Sequence, residues 1–374
     1  MYEMKEIRYA ERLFKFLLAT AMAWLGCIAL VSCDQGDIGA ENTEAHITLT
    51  LCLKGTDTDN DTRTGQSGGK QIASISEDDE TDEPGTEMEN SIDFSRFHVV
   101  FYDANHRMAG ILQNMVLIHV GGNIYRLTGS LPVSNKVLVG NHFVGKMVVY
   151  ANFDMSSEDL QKDYNHTDIA QKSFDYEANP EYLPMWGVQK VDFTLAAGKC
   201  QDFSDIDLLR AVAKVKVNLS NDMKKNGWSI HSMQLFNYNN KGYCMPGKYT
   251  DCEQTASLTH EAFEHFLDSK QTVGITMKDN VPIYLPEYQN NGQEDANKCV
   301  IKLKLARNGT VESDKEYTLR FIDYTDQGTE GTTINDIVRD HYYTFEVYKG
   351  SNGQNLVKLT VRKWNVRDHE EIVM

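Results

Sequence analysis

The segment His260-Glu261-Ala262-Phe263-Glu264-His265 gathers metal-ligating side chains within one short stretch. A helical zinc site of the protease type needs two His at i and i+4, so that both reach one ion from one face. Here the two His are five positions apart, about 140° out of phase on a helix. The spacing sets His260 against Glu264 and Glu261 against His265, as two surface polar pairs. The chain holds no GxSxG elbow, phosphate-binding loop or GxGxxG. Gly68-Gly69 and Gly121-Gly122 read as linker or turn glycines. No catalytic residue, metal or cofactor is therefore expected, and the chain is read as a non-enzyme.

The thiols point to other chemistry. The seven cysteines are Cys27, Cys33, Cys52, Cys200, Cys244, Cys252 and Cys299, with no CxxC pair. Cys244 and Cys252 flank a Gly/Pro-containing stretch. They are either a disulfide of an oxidising compartment or free buried thiols. Cys33 is different. Lys5, Arg8, Arg12 and Lys15 precede a charge-free run from Phe16 to Val31. That run is shorter than the roughly 20 residues a spanning helix needs, and behind a basic leader it reads as an export signal. It ends Leu30-Val31-Ser32-Cys33, which resembles a lipobox. The pattern implies cleavage before Cys33, diacylglyceryl attachment to its sulfur and a firm lipid anchor.

One further site follows the anchor. Ile47, Leu49, Leu51 and Leu53 alternate with more polar neighbours, the pattern of a half-buried strand. Gly55 to Asn90 then carries almost no large apolar side chain. Every position from Glu77 to Glu83 except Thr81 is acidic. Such a stretch is expected to be a flexible spacer. Arg63 lies within it as an exposed basic site, and loops of this kind are preferred points of proteolysis.

These sites need a body to work from. Hydrophobic residues make up 41% of the chain, and 18 Tyr and 15 Phe favour strands. The formal net charge of −17 excludes a nucleic-acid partner, which needs a basic face. Short strand patterns run from Phe97–Tyr102 to Leu356–Trp364, separated by Gly, Asn and Pro turns. Val215 and Val217 alternate with Lys214 and Lys216. Ser156-Ser157-Glu158-Asp159 reads as a capping box, and Thr255 to Ser269 as the stronger helix. The expectation is an all-β chain of two sandwiches. Its parts are a signal peptide (1–32), a lipidated strand and acidic linker (33–90), an N-terminal domain (91–203) and a C-terminal domain (204–374).

Several segments carry a resemblance when taken in order. They are Cys33, the strand Ile47 to Leu53, Arg63, Leu183-Pro184-Met185-Trp186-Gly187 and Leu209-Arg210-Ala211-Val212-Ala213-Lys214-Val215. Then come Ile283-Tyr284-Leu285-Pro286-Glu287, Val338-Arg339-Asp340-His341-Tyr342-Tyr343 and Trp364. The chain resembles the fimbrillins, the type V pilins of Bacteroidetes. The resemblance implies transthyretin-like sandwiches, delivery to the outer membrane as a lipoprotein, and removal of the first strand by an Arg-specific protease. The vacated groove then takes a strand from another pilin subunit, and the product is an adhesive surface fimbrium. The C-terminus offers a donor, with Val357, Leu359, Val361 and Trp364 followed by an apolar tip at Ile372 and Val373. The acidic spacer departs from a standard stalk subunit and puts the Arg63 position in question. The alternatives are an anchor or accessory subunit that keeps its lipid, and a surface glycan-binding lipoprotein.

Overall fold

The computed structural model of the chain describes residues 43–53, 87–121, 124–165, 167–255, 264–312, 315–325 and 327–364. Strand β1 (Glu44–Cys52) forms where the alternation of Ile47, Leu49 and Leu51 places it. The chain resumes at a helical turn, Glu87–Asn90. There follow β2 (Phe97–Asp103), β3 (Met108–Ile111), β4 (Gln113–Gly121), β5 (Ile124–Pro132) and β6 (His142–Ala151). Next are β7 (Ser173–Asp175), β8 (Met185–Thr194), β9 (Cys200–Asp202), β10 (Ile206–Asp207) and β11 (Leu209–Arg210).

One sheet of the first sandwich runs β10-β1-β5-β4, with β9 also on β1; the facing sheet runs β11-β8-β6-β2-β3. Inward side chains from both, among them Leu49, Phe101, Leu127, Met147, Val149 and Phe193, make its core. The second sheet is buried on its outer face too. There Val100, Tyr102, Val148, Tyr150, Trp186 and Val188 pack under Phe153, Tyr164, Cys244, Met245 and Cys252. This explains the unbroken apolar run of β2, which a half-exposed strand would not carry.

The second sandwich begins with β12 (Ala213–Leu219), which pairs with Ile283–Leu285 on one side and, in parallel, with His341–Lys349 on the other. Asn355–Lys363 closes that sheet as an antiparallel edge. The facing sheet is built on β13 (Trp228–Phe236) and Val300–Arg307. Val217, Leu235, Ile301, Leu303 and Phe345 lie between them. The all-β, two-sandwich class is the one expected from the sequence.

Three local expectations change. First, β10 and β11 still pair with β1 and β8, so the chain passes between sandwiches at Ala211–Val212, not at Ser204. Residues Lys241–Tyr243 also fold back onto β7 of the first unit. Second, the spacer does not reach Asn90 as a solvated stretch, because Glu87–Asn90 is a helical turn with Glu89 fully buried. Third, Glu264 to Ser269 is irregular, while Thr255 is buried and its Oγ1 bonds both the N–H and the carbonyl of Val188. His260 and Glu261 lie outside the described residues. His265 stacks on Tyr243 at 3.8 Å and bonds the Met245 carbonyl through Nδ1. Of the two states open to Cys244 and Cys252, the structure has the free buried thiols. The capping box does form, around the 3-10 turn Asp159–Gln161. The Asp159 N–H donates to Ser156 Oγ, and the Ser156 N–H donates to Asp159 Oδ2.

Candidate strand-exchange groove and interdomain junction

β1 is a middle strand, although it is joined to the rest of its sandwich only through residues 54–86. On one side it pairs antiparallel with β5, residue for residue from Glu44–Pro132 to Cys52–Ile124. On the other it is met in parallel by β9 and β10. The chain around those short strands adds backbone bonds: His46 N–H to the Lys199 carbonyl, Phe203 N–H to Thr48 and Leu208 N–H to Cys52. Ala45, Ile47, Leu49, Leu51 and Leu53 all point inward and are at most 1% exposed. Burying the four large ones contributes on the order of 8 kcal/mol before ordering costs. Without β1 the sheet would be split between β5 and β9/β10, leaving a groove lined by two open strand edges. The groove floor is shaped to match. Gly129 faces Ile47, and a Cβ at Gly129 would come within 2.6 Å of Leu112 Cγ, so only glycine lets Leu112 fill that position.

The spacer re-enters the fold beside this groove. Tyr125 of β5 donates its hydroxyl to the Asn90 carbonyl, at 2.6 Å. Glu89 sits between the sandwiches. Its Oε1 accepts from Tyr284 Oη at 2.6 Å and lies 2.8 Å from Lys214 Nζ. Arg210, fully buried, donates from Nε to the Glu89 carbonyl and from an Nη to Asn90 Oδ1, and lies 3.6 Å from Asp340. Burial pulls the Arg210 pKa below its ordinary value, and Asp340 and Glu89 act against that. Trp364 closes the cluster. Its ring stacks on Tyr284 at 5.5 Å, with the Arg210 guanidinium 4.7 Å from the ring centroid, and its backbone N–H donates to the Asp340 carbonyl. Asp340 takes the left-handed conformation, φ 55°, that brings its backbone between Val212 and Trp364. A second buried pair lies nearby. Arg339 makes two bonds to Glu287 Oε2 and reaches the Tyr243 and Cys244 carbonyls, which pins the folded-back segment.

Of the site residues expected from sequence, Ile47, Leu49, Leu51 and Leu53 line this groove from within. Cys33, Arg63, Ile372 and Val373 lie outside the described residues. Val357, Leu359 and Val361 belong to the edge strand Asn355–Lys363 and pack on the second core. Trp364 is 2% exposed. Those four therefore complete their own fold in this state. Glu89, Arg210, Lys214, Tyr284 and Asp340 were not picked out as a site. The signal was present: Arg210 is a lone charge inside the apolar run Leu208 to Ala213. Lys214 and Lys216 also sit in a strand buried on both faces, under the rings of Tyr342 and Trp364.

Apart from Glu89 and Asn90, the residues that meet at the junction come from the segments that carried the resemblance, and an independent comparison agrees. The sequence pattern of the family described as fimbrillin-A associated anchor proteins Mfa1 and Mfa2 matches residues 73–370. The chain belongs to that family. The solved structures of similar shape include the tip fimbrial protein Mfa3 of Porphyromonas gingivalis, at 12% identity and TM-score 0.50, covering 86% of this chain and 100% of that one. A fimbrial assembly protein of Parabacteroides distasonis shares 15% identity at TM-score 0.47, covering 86% and 96%. A fimbrilin of Porphyromonas gingivalis shares 13% at TM-score 0.45, covering 87% and 99%. A comparison with the curated proteins gives no match. Membership in the fimbrillin-associated anchor family places the chain among structural, adhesive proteins of cell-surface fimbriae.

Proposed function

We propose that this fimbrial protein is a subunit exported as a lipoprotein through Cys33, clipped at Arg63 and assembled by strand exchange. The observation that carries the reading is the position of β1. It is a central strand with a fully buried inner face, yet its covalent tie to the sandwich runs through a long acidic segment. A cut at Arg63 leaves β1 held only by non-covalent contacts. The anchored turn at Glu89 then keeps the body closed behind the cut. A strand from another subunit regains both the apolar burial and the backbone ladder. The donor of this subunit is residues 365 to 374, which follow Trp364.

A second reading has its own support. The matching family is described by anchor proteins, and the intact chain is already a closed sandwich. An anchor subunit would keep both its lipid and β1 and offer only its tail. The glycan-binding alternative has less behind it. Among the described residues Phe94 is the one exposed aromatic ring, and a single ring is not a platform.

The test uses a synthetic peptide of Ala45 to Lys54. It is expected to bind the chain cut at Arg63, to leave the uncut chain alone, and to block polymerisation. Equal binding to both forms, or undisturbed polymerisation with the peptide bound, contradicts strand exchange in this groove. Arg63→Ala is expected to stop maturation. A variant that still matures to the same size moves the cleavage elsewhere.

A further inference from the structure

The groove that β1 fills asks for one side-chain pattern, and the C-terminus of the chain does not carry it. Ala45, Ile47, Leu49, Leu51 and Leu53 are apolar at every second position and share one core. Across the ladder the first four stand opposite Leu131, Gly129, Leu127 and Tyr125 of β5. A replacement strand recovers that burial only with five apolar residues at period two over nine positions. From Asn355 to Met374 no nine-residue register offers them. Each one sets at least one Asp, Glu, Lys or Arg among its five inward positions, with at most three apolar residues beside it. Beyond Trp364 the best register runs from Val366 to Met374. It would turn Asp368 and Glu370 inward along with Val366, Ile372 and Met374. Glu370 is the middle residue, so it would take the place of Leu49 whichever way the strand runs. Leu49 is 1% exposed. The buried bases of the junction, Arg210 and Lys214, are already set against Asp340 and Glu89. A carboxylate at the Leu49 position would lose its water in an apolar core, which a charge tolerates only when it is paired.

We propose, resting on the strand-exchange reading above, that this groove takes its strand from a subunit of a different kind. That partner's donor segment repeats the period-two apolar pattern of Ala45 to Leu53, and copies of this chain do not join one another tail to groove. Ala45, 0% exposed, is the one small member of the five, so the donor is also small where it seats beside Leu131. The two inward carboxylates of the tail act as the repulsive element that keeps a second copy out, while the apolar floor admits the right partner. Polymerisation of this chain is then always mixed. Its groove receives a strand from one kind of neighbour, and its tail is left for a groove of another pattern.

Peptide competition on the full chain cut at Arg63, with the cleaved β1 segment seated and fluorophore-labelled, tests the proposal. Three peptides are offered: Ala45 to Lys54, Asn365 to Met374, and the second of these carrying Asp368→Leu and Glu370→Leu. The first is expected to displace the labelled strand. The natural tail is expected to do so at least about a hundredfold less well, and the doubly substituted tail to recover at least about tenfold of that loss. If Ala45 to Lys54 displaces nothing, the groove does not exchange, and the strand-exchange reading falls together with this one. If it displaces the label and the natural tail does so equally well, strand exchange stands and the different-subunit proposal alone is overturned. A doubly substituted tail no better than the natural one shows that the carboxylates are not what the groove rejects, and overturns it too.

Discussion

Lys214 Nζ lies 2.8 Å from Glu89 Oε1 with both side chains cut off from solvent. The acid arrives from the end of the spacer and the base from the first strand of the second sandwich. A residue at the end of the acidic spacer is thus the counter-charge of the domain junction. Removing one partner of a buried pair leaves the other uncompensated. Glu89→Ala is expected to destabilise the protein by about 3–5 kcal/mol in a denaturant titration. Lys214→Met in the same chain is expected to recover part of that loss. A Glu89→Ala protein of unchanged stability means that the turn is not an anchor.

The two ends of the C-terminal segment are expected to behave differently. Trp364→Ala opens a space between Tyr284 and Arg210 and is expected to cost about 3–5 kcal/mol. Deleting residues 365 to 374 is expected to leave the melting temperature within a degree or two, about 0.5 kcal/mol, while abolishing fibre formation. A deletion that unfolds the protein puts those residues in its own core. One that still polymerises places the donor elsewhere.

The worth of β1 is measurable at one side chain. Leu49→Ala is expected to cost about 2–5 kcal/mol in the intact chain. In a chain cut at Arg63 and freed of β1, the same substitution has nothing left to change. A peptide carrying it is expected to bind the empty groove at least about thirtyfold more weakly than the natural sequence.

Asp159 gives a pH dependence with a definite sign. Burial opposes its ionisation, but bonds from Lys172 and from the Ser156 N–H and hydroxyl outweigh burial and hold its carboxyl well below the ordinary carboxylate range. The unfolded chain takes up the proton first as pH falls. The contribution is therefore full above the ordinary value of 3.8 and lost progressively below it. Asp159→Asn is expected to flatten the fall in stability between pH 5 and pH 2, roughly the window of that titration. An identical slope in the variant contradicts the assignment.

Period-two alternation made β1 legible, while β2, buried on both faces, was legible as a short apolar run. The residues of the junction were legible only as recurring segments. Arg210 and Lys214 look like surface charges on a strand until Glu89, Tyr284 and Trp364 arrive from distant parts of the chain. Glu89 was hidden by its neighbours, since an acid in an acidic run reads as solvated. The C-terminal strand allows two readings. Val357, Leu359 and Val361 alternate as well as any donor would, and the same alternation suits the edge of their own sheet.

The central claim is that β1 leaves and another strand takes its place. Mass spectrometry and N-terminal sequencing of subunits from sheared surface fibres test it most directly. The account predicts subunits beginning after Arg63, with no covalently retained Glu44–Cys52. Fibre subunits that all keep β1 and the acylated Cys33 would contradict it, and would leave the anchor role as the function of this chain.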